Sequence, residues 1–346
     1  MRKSKVILVG AINEGNTPTC GETMKNQLFI KRFNELFDKV ITVDTLNWKK
    51  HPMVFIRLLL VLLFNRKAKV VISASLISAD ILIKFLYYIR LKKDVYYWVV
   101  GGSLHSMIES GKINGIKHMK YLKAVIVQGR SMVTALNKLG LTNAVYTPNS
   151  KIINSLPEKD YGNHDKLHFV FLSRIDQSKG CDYIFESVAE LNKTFAKQYD
   201  VTFYGKVSEK YDTFREKVDF FDNIYYKGVL NLLENTGYKE LAKYDVMLFP
   251  TFWHGEGFPG VAIDAYIASL PVIATNWNLN TDVIKDREDG WIIPVHDVAA
   301  LTNAMRDAIE HREDVIRMSN NCRLKAMSYD SRTVLSRNVM ENLGLL

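Results

Sequence analysis

Two loops in the second half of the chain concentrate residues able to hold a diphosphate and a polyol. The first reads Leu172-Ser173-Arg174-Ile175-Asp176-Gln177-Ser178-Lys179-Gly180. It follows a short apolar run, and Lys179-Gly180 opens a helical pattern. Two cations near a helix start make an anion site, because free backbone N–H groups and the helix dipole add partial positive charge. A diphosphate fits that arrangement. The plainer alternative is that Arg174 and Lys179 pair with surface carboxylates such as Asp176. The second loop is Pro250–Leu270, PTFWHGEGFPGVAIDAYIASL. Glu256 lies between Gly255 and Gly257, and Pro259-Gly260 opens a helix expected over Val261–Ser269. Glycines admit close backbone approach to a ligand. Glu256 in the loop and Asp264 one turn into the helix can face one cleft and accept hydrogen bonds from sugar hydroxyls. Two alternatives stand beside this: Glu256 caps the helix from outside while Asp264 is solvated, or the carboxylates form the pair used in glycoside hydrolysis.

The elements that must position these loops alternate between strand and helix. Lys5–Gly10 is a short apolar run ending in Gly, and the apolar spacing in Glu22–Asp38 marks one helical face. Val40–Val43, Val70–Ser73, Val95–Val100 and Ala124–Val127 continue the strand series. A polar break follows Pro148-Asn149-Ser150, and a linker is expected over Ser155–Lys166, with Pro157, Gly162 and Asn163. A second series runs through Leu167–Leu172, Val201–Tyr204, Ile224–Tyr226, Val246–Phe249, Val272–Ala274 and Trp291–Ile293. Ser331–Leu346 is helical in pattern. Alternation of this kind predicts an α/β chain of two domains, 1–150 and 165–329, each a parallel sheet with helices on both faces; the helix at about 330–346 packs back on the first. Ligands then bind at the carboxyl ends of the strands, in a cleft between two facing domains.

At 346 residues, two domains are the default. Three distant cysteines, Cys20, Cys181 and Cys322, give neither a disulfide framework nor zinc-ligand spacing, which reads as a reducing compartment. Only the seven residues Val6–Ile12 follow the basic start before polar Asn13, so a cytoplasmic strand is expected rather than a signal peptide. The charge is unevenly spread. The 46 basic residues divide equally at residue 150, whereas the 37 acidic ones divide as 8 and 29, leaving +15 and −6. The basic half suits a polyanion or an anionic membrane surface. It lacks a zinc finger or an RNP-like aromatic run, so no nucleic-acid partner is expected. Met53–Phe64 (MVFIRLLLVLLF) is too short to span a bilayer. It is either a buried helix of the sheet sandwich or a helix lying in the membrane interface, flanked by Lys49, Lys50, Arg66, Lys67 and Lys69. Ile81–Lys93, with Phe85, Tyr87 and Tyr88 among four cations, is a second interfacial candidate.

Taken in order, these motifs resemble retaining glycosyltransferases of family four, the group 1 type with the GT-B fold. Glu256-Gly257-Phe258-Pro259-Gly260, Asp264-Ala265 and Leu270-Pro271-Val272-Ile273-Ala274-Thr275 resemble the family's E-x7-E region, and Arg174 with Lys179-Gly180 resembles its R-x4-K-G motif. Lys227-Gly228-Val229 is similar to the loop beside the nucleotide base, Asp245–Thr251 to a family strand, and Val145–Asn149 to the end of the first domain. The resemblance is strong over residues 145–295 and weak before them.

The resemblance implies roles. Arg174 and Lys179 neutralise the leaving diphosphate, Glu256 contacts the donor sugar, and the amides of Gly257–Gly260, including Phe258 and Pro259, hold sugar hydroxyls and phosphate. Asp264, where the family has Glu, binds ribose hydroxyls. Gly205 and Val229 belong to the donor site. In the first half, Gly15 and Gly21 stand in a Gly-rich loop, and His105, after Gly101-Gly102, touches the donor sugar; His254 is a less direct candidate. Retention of configuration is implied, with the leaving phosphate oxygen taking the acceptor proton. No D-x-D occurs, so no metal or other cofactor is expected. A UDP- or GDP-linked hexose is the implied donor. A lipid-diphosphate-linked glycan at the inner membrane face is the implied acceptor, in assembly of capsule, exopolysaccharide or lipopolysaccharide. A GT-B epimerase, a phosphorylase and an inactive sugar-nucleotide or polyanion-binding homologue are the competing readings.

Overall fold

The computed structural model describes residues 4–18, 20–90, 93–159, 165–232 and 235–346. The chain divides into two compact units, one of Met1–Ile152 with Ser331–Leu346 and one of Ile153–Asp330. Of the expected linker, Gly162 and Asn163 lie outside the described residues.

Each unit is built on one six-stranded, wholly parallel sheet. The first contains β1 (Lys5–Gly10), β2 (Lys39–Asp44), β3 (Lys69–Ile72), β4 (Val95–Trp98), β5 (Ala124–Val127) and β6 (Ala144–Tyr146), in the order β2-β1-β3-β4-β5-β6. The second contains β7 (Leu167–Leu172), β8 (Tyr199–Tyr204), β9 (Ile224–Tyr226), β10 (Val246–Phe249), β11 (Val272–Thr275) and β12 (Gly290–Ile293), in the order β12-β11-β10-β7-β8-β9. Near-continuous apolar runs such as AVIV and VMLF form such strands because helices cover both faces. In each sheet the order reverses beside the first strand. β7 has β8 on one side and β10 on the other, paired through Val246 and Phe169. The reversal makes the loops after β7 and β10 neighbours, although about 80 residues separate them, and opens a crevice at the strand ends. That register is what brings the two chemistry-bearing loops together.

The first core is closed by residues from the far end of the sequence. Val334, Leu335, Met340 and Leu345 pack with Phe29, Phe33, Tyr96 and Trp98. Tyr96 Oη donates to Gly344 O at 2.7 Å and Arg32 Nε to Leu335 O at 3.1 Å. Ser331–Leu346 forms two short helices, Ser331–Val334 and Arg337–Asn342, rather than one; Ser336 interrupts it and caps the second by accepting from Val339 N. β6 escapes the sequence pattern because it is a three-residue edge strand that is nowhere fully buried.

Helix α1 spans Gly21–Leu36, and α2 spans Val54–Phe64. α2 corrects the expectation of a buried helix. Only Leu58 and Leu62 are buried, while Met53, Ile56, Leu60, Leu63 and Phe64 are exposed, Phe64 by 83%. Its apolar residues go all the way round, so packing one face on the sheet leaves an equally apolar face outside. The second interfacial candidate is shifted: α3 runs Leu76–Tyr88, with Ile77, Ile81 and Tyr88 exposed, and Lys92 lies outside the described residues. Among the described residues, no helix is long and apolar enough to cross a membrane.

Candidate functional site

In the second unit the loop after β7 makes a tight 3-10 turn over Gln177–Lys179 before the helix Cys181–Phe195 starts. Lys179 therefore ends that turn instead of opening the helix. Asp176 caps the turn, accepting from Ser178 N at 3.0 Å and from Ser178 Oγ at 2.6 Å. The Ser178 hydroxyl holds the Asp176 carboxyl below its usual range. Gly180 adopts φ +79°, and a Cβ there would lie 2.2 Å from Pro250 O. Only glycine permits this contact, which docks the loop after β10 onto the turn, sealed by Phe252 N donating to Ser178 O at 2.9 Å.

The docking brings Lys179 and Glu256 into a salt bridge, with side chains only 7% and 13% exposed. Thr251 Oγ1 donates a second hydrogen bond to Glu256, at 3.2 Å. Burial pulls the Lys179 pKa down, and the Glu256 charge opposes the fall. Lys179 Nζ also sits 4.3 Å from the Trp253 ring centroid, and the Arg174 guanidinium lies 5.4 Å from it. The two cations and the carboxylate thus form one cluster on adjoining loops. Lys179 thus pairs with a largely buried carboxylate of the neighbouring loop, Glu256, rather than with Asp176. This pairing overturns the helix-capping role for Glu256, whose carboxylate is engaged by Lys179 and Thr251.

The helix Gly260–Ile267 begins one residue earlier and ends two earlier than expected, because Ser269 turns left-handed at φ +60°. Its start leaves amides at the loop end, where anions are favoured. Asp264 is buried, not solvated, and accepts from Tyr238 Oη at 2.6 Å. Burial, with the Asp264 charge second, drives the Tyr238 pKa upward. Phe258 is buried with its ring 5.8 Å from Tyr329, so what it offers a ligand is backbone. Pro259 is the helix N-cap. Gly205 has φ +150°, and a Cβ there would fall 1.7 Å from Ser173 O; its N–H donates to Gly228 O at 2.7 Å. Val229, beside Gly228, is exposed.

The remaining candidates belong to the first unit. Helix α4 spans Leu104–Glu109, and His105 lies in its first turn, half-buried, with Nδ1 buried and unpartnered among the described residues. Gly15 has φ +79° in an exposed turn, and Gly21 is the first residue of α1. The sequence assigns no role to Thr251 or Trp253, which lie inside the quoted motifs, or to Tyr238, which lies between them in the helix Asn235–Leu241; only the fold shows that they touch the site's charged groups.

Residues 155–325 match the family model for glycosyl transferases group 1. An uncharacterised 41.2 kDa protein in the cps region of Klebsiella pneumoniae is 31% identical over 147 residues, 41% of this chain and 36% of that protein. An Escherichia coli UDP-Gal:alpha-D-GlcNAc-diphosphoundecaprenol alpha-1,3-galactosyltransferase is 33% identical over 84 residues, 24% of this chain and 21% of that one. The chain thus spans well under half the length of these curated relatives. Anabaena HepE, solved in complex with UDP, superposes with a TM-score of 0.73 over 99% of this chain and 100% of its own, at 12% identity, which shows the shared fold. The family match thus lies within the second unit, and the likeness to HepE shows a shared fold over nearly the whole chain.

Proposed function

We propose that the protein is a retaining glycosyltransferase that moves a hexose-type sugar from a UDP- or GDP-linked donor to a hydroxyl of a growing, lipid-linked glycan in surface polysaccharide assembly. The observation that carries this reading is the Lys179–Glu256 pair beside Arg174, set where the loops after β7 and β10 meet. In the reaction the bond from sugar C1 to the phosphate oxygen breaks and a bond from C1 to the acceptor oxygen forms. The acceptor proton passes to the leaving phosphate oxygen, and the nucleoside diphosphate departs. Arg174 and Lys179 stabilise the charge that grows on the diphosphate, aided by amides at the start of the helix Gly260–Ile267. Glu256 orients sugar hydroxyls, and donor phosphate replaces it as the partner of Lys179. Asp264, held by Tyr238, takes the ribose. These cations make the reaction independent of a divalent metal.

The first unit receives the acceptor. Its charge of +15 over residues 1–150 and the exposed apolar face of α2 suit an anionic membrane surface, where a lipid-linked glycan is presented. The names of the two curated relatives, one from a cps region and one acting on a diphosphoundecaprenol-linked sugar, agree with that setting.

A panel of UDP- and GDP-hexoses, screened first for binding and then for transfer to lipid-linked acceptors with and without EDTA, tests the reading. The expected product keeps the donor's anomeric configuration, and EDTA leaves the rate unchanged. Inverted product, a strict need for Mg²⁺ or Mn²⁺, or binding of no nucleotide sugar would overturn it.

A further inference from the structure

The loop after β11 carries a second aromatic side chain to the edge of the charged cluster. Trp277 Nε1 donates to Trp253 O at 2.8 Å, and Asn278 Nδ2 donates to Glu256 O at 3.0 Å. The two loops are therefore tied backbone to side chain, directly beside Glu256. Gly255 admits the Trp253 ring: a Cβ there would sit 2.4 Å from the indole, so only glycine lets it come this close. His254 packs edge-on to Trp277, with centroids 5.6 Å apart. Despite this bracing Trp253 stays 37% exposed, and Trp277 is only partly buried. Two partly exposed indoles tethered beside two cations and a carboxylate are suited to a binding wall.

We propose that Trp253 and Trp277 form a shelf for the C–H face of a pyranose ring, and that this shelf adds the affinity separating a sugar nucleotide from the bare nucleoside diphosphate. Three chemistries then meet in one place. The cations take phosphate, Glu256 takes hydroxyls on one side of the sugar, and the indoles take the apolar C–H bonds on the other. The proposal rests on the donor reading above, and it adds residues that the charged motif does not contain. It assigns discrimination among hexoses to the shelf, because epimers differ in which positions present C–H and which present hydroxyl to an aromatic surface.

Wild type, Trp277→Ala, Trp277→Phe and Trp253→Leu are titrated with UDP, GDP, the UDP- and GDP-hexoses and, separately, methyl hexosides at high millimolar concentration, by calorimetry and tryptophan fluorescence. Trp277→Ala is expected to weaken the preferred sugar nucleotide by about tenfold and to leave the diphosphate alone within about twofold, whereas Trp253→Leu, which also strips the ring from Lys179 and Arg174, should weaken both. Trp277→Phe keeps an aromatic face without the N–H and should retain most of the sugar-dependent affinity. An unchanged ratio of the two affinities in Trp277→Ala overturns the shelf, as does an equal loss in Trp277→Phe, which would assign the effect to the Nε1 tether. If no nucleotide binds the wild type but methyl hexosides shift its fluorescence and fail to shift that of Trp277→Ala, the donor reading falls and the shelf stands. No response to any sugar, free or nucleotide-linked, overturns the shelf.

Discussion

The two units are both built on six parallel strands, in different orders, and they spend their polar side chains differently. At the carboxyl end of the first sheet, charges hold the protein's own backbone. Asp44 accepts from the amides of Ile12 and Asn13 and of Leu46, at 2.8–2.9 Å, and Glu22 accepts from Ala11 N and Ser75 N. Lys25 Nζ donates to Val99 O at 2.9 Å, and Asn26 Nδ2 bridges Ala11 O and Ser73 O. At the same end of the second sheet, Lys179 and Glu256 hold each other, the bond for which a diphosphate competes in the proposed function. Polar groups satisfied by backbone build a rigid platform. Polar groups satisfied by one another are poised for exchange.

The largest test of this contrast is Lys179→Ala. It leaves Glu256 largely buried without its cation and removes the diphosphate's partner. Transfer should fall by about 10²–10³, with a loss of about 3 kcal/mol in denaturant stability. Near-normal turnover would place the site elsewhere. Next comes Gly180→Ala, which meets Pro250 O at 2.2 Å in a left-handed backbone. It should cost at least about 2 kcal/mol and weaken nucleotide binding, because the loops after β7 and β10 can no longer dock. A stable variant with intact binding would show that the docking is dispensable. Asp44→Asn should be milder, about 1–2 kcal/mol, lost from the first unit alone. Hydrogen exchange at Ile12 and Asn13 reads it, and unchanged protection there would contradict the platform role.

Smaller still is a pH effect. Burial lowers the Lys25 pKa from its ordinary 10.5 to about 7, with the Glu22 charge opposing. The unfolded chain keeps that proton up to about pH 10.5, so between 7 and 10.5 it binds more protons than the native state, and stability rises with pH. Below 7 the cost is fully present. Glu22 works the other way, since burial raises its pKa above 4.5 and its contribution declines as pH climbs through that raised value. Urea titrations from pH 6 to 9 should show a steeper upward slope for wild type than for Lys25→Met, and parallel slopes would remove the assignment. The smallest stability effect belongs to Phe64→Ser on the exposed face of α2, within about 0.5 kcal/mol. The same variant should lower co-sedimentation with anionic vesicles, and unchanged sedimentation would count against membrane contact.

How far the sequence could be read follows from the same contrast. Strands such as Lys5–Gly10 and Leu167–Leu172 were legible because burial on both faces forces continuous apolar runs. Arg174, Lys179 and Glu256 could be singled out because cations and a carboxylate stand in loops beside helix starts and resemble a family motif. Their mutual bond was not, since it depends on the β7–β10 register and on Gly180 admitting Pro250. For α2 the sequence left burial and an exposed apolar face both open: hydrophobicity measures what can be buried, and the sheet accepts only one of its faces. Trp253 and Trp277 gave no periodic signal, because loop residues obey tertiary contacts rather than a repeat.

The return of Ser331–Leu346 to the first core carries a consequence for biosynthesis. Ser331 N donates to Lys151 O at 2.7 Å, so the chain leaves the first unit and re-enters it at the same spot. The core around Phe33 and Trp98 is therefore complete only once residues 331–346 have been made, whereas the second unit draws on nothing beyond Asp330. The unit begun first is thus the one whose core is finished last, and truncation after Asp330 removes contacts from the first unit alone.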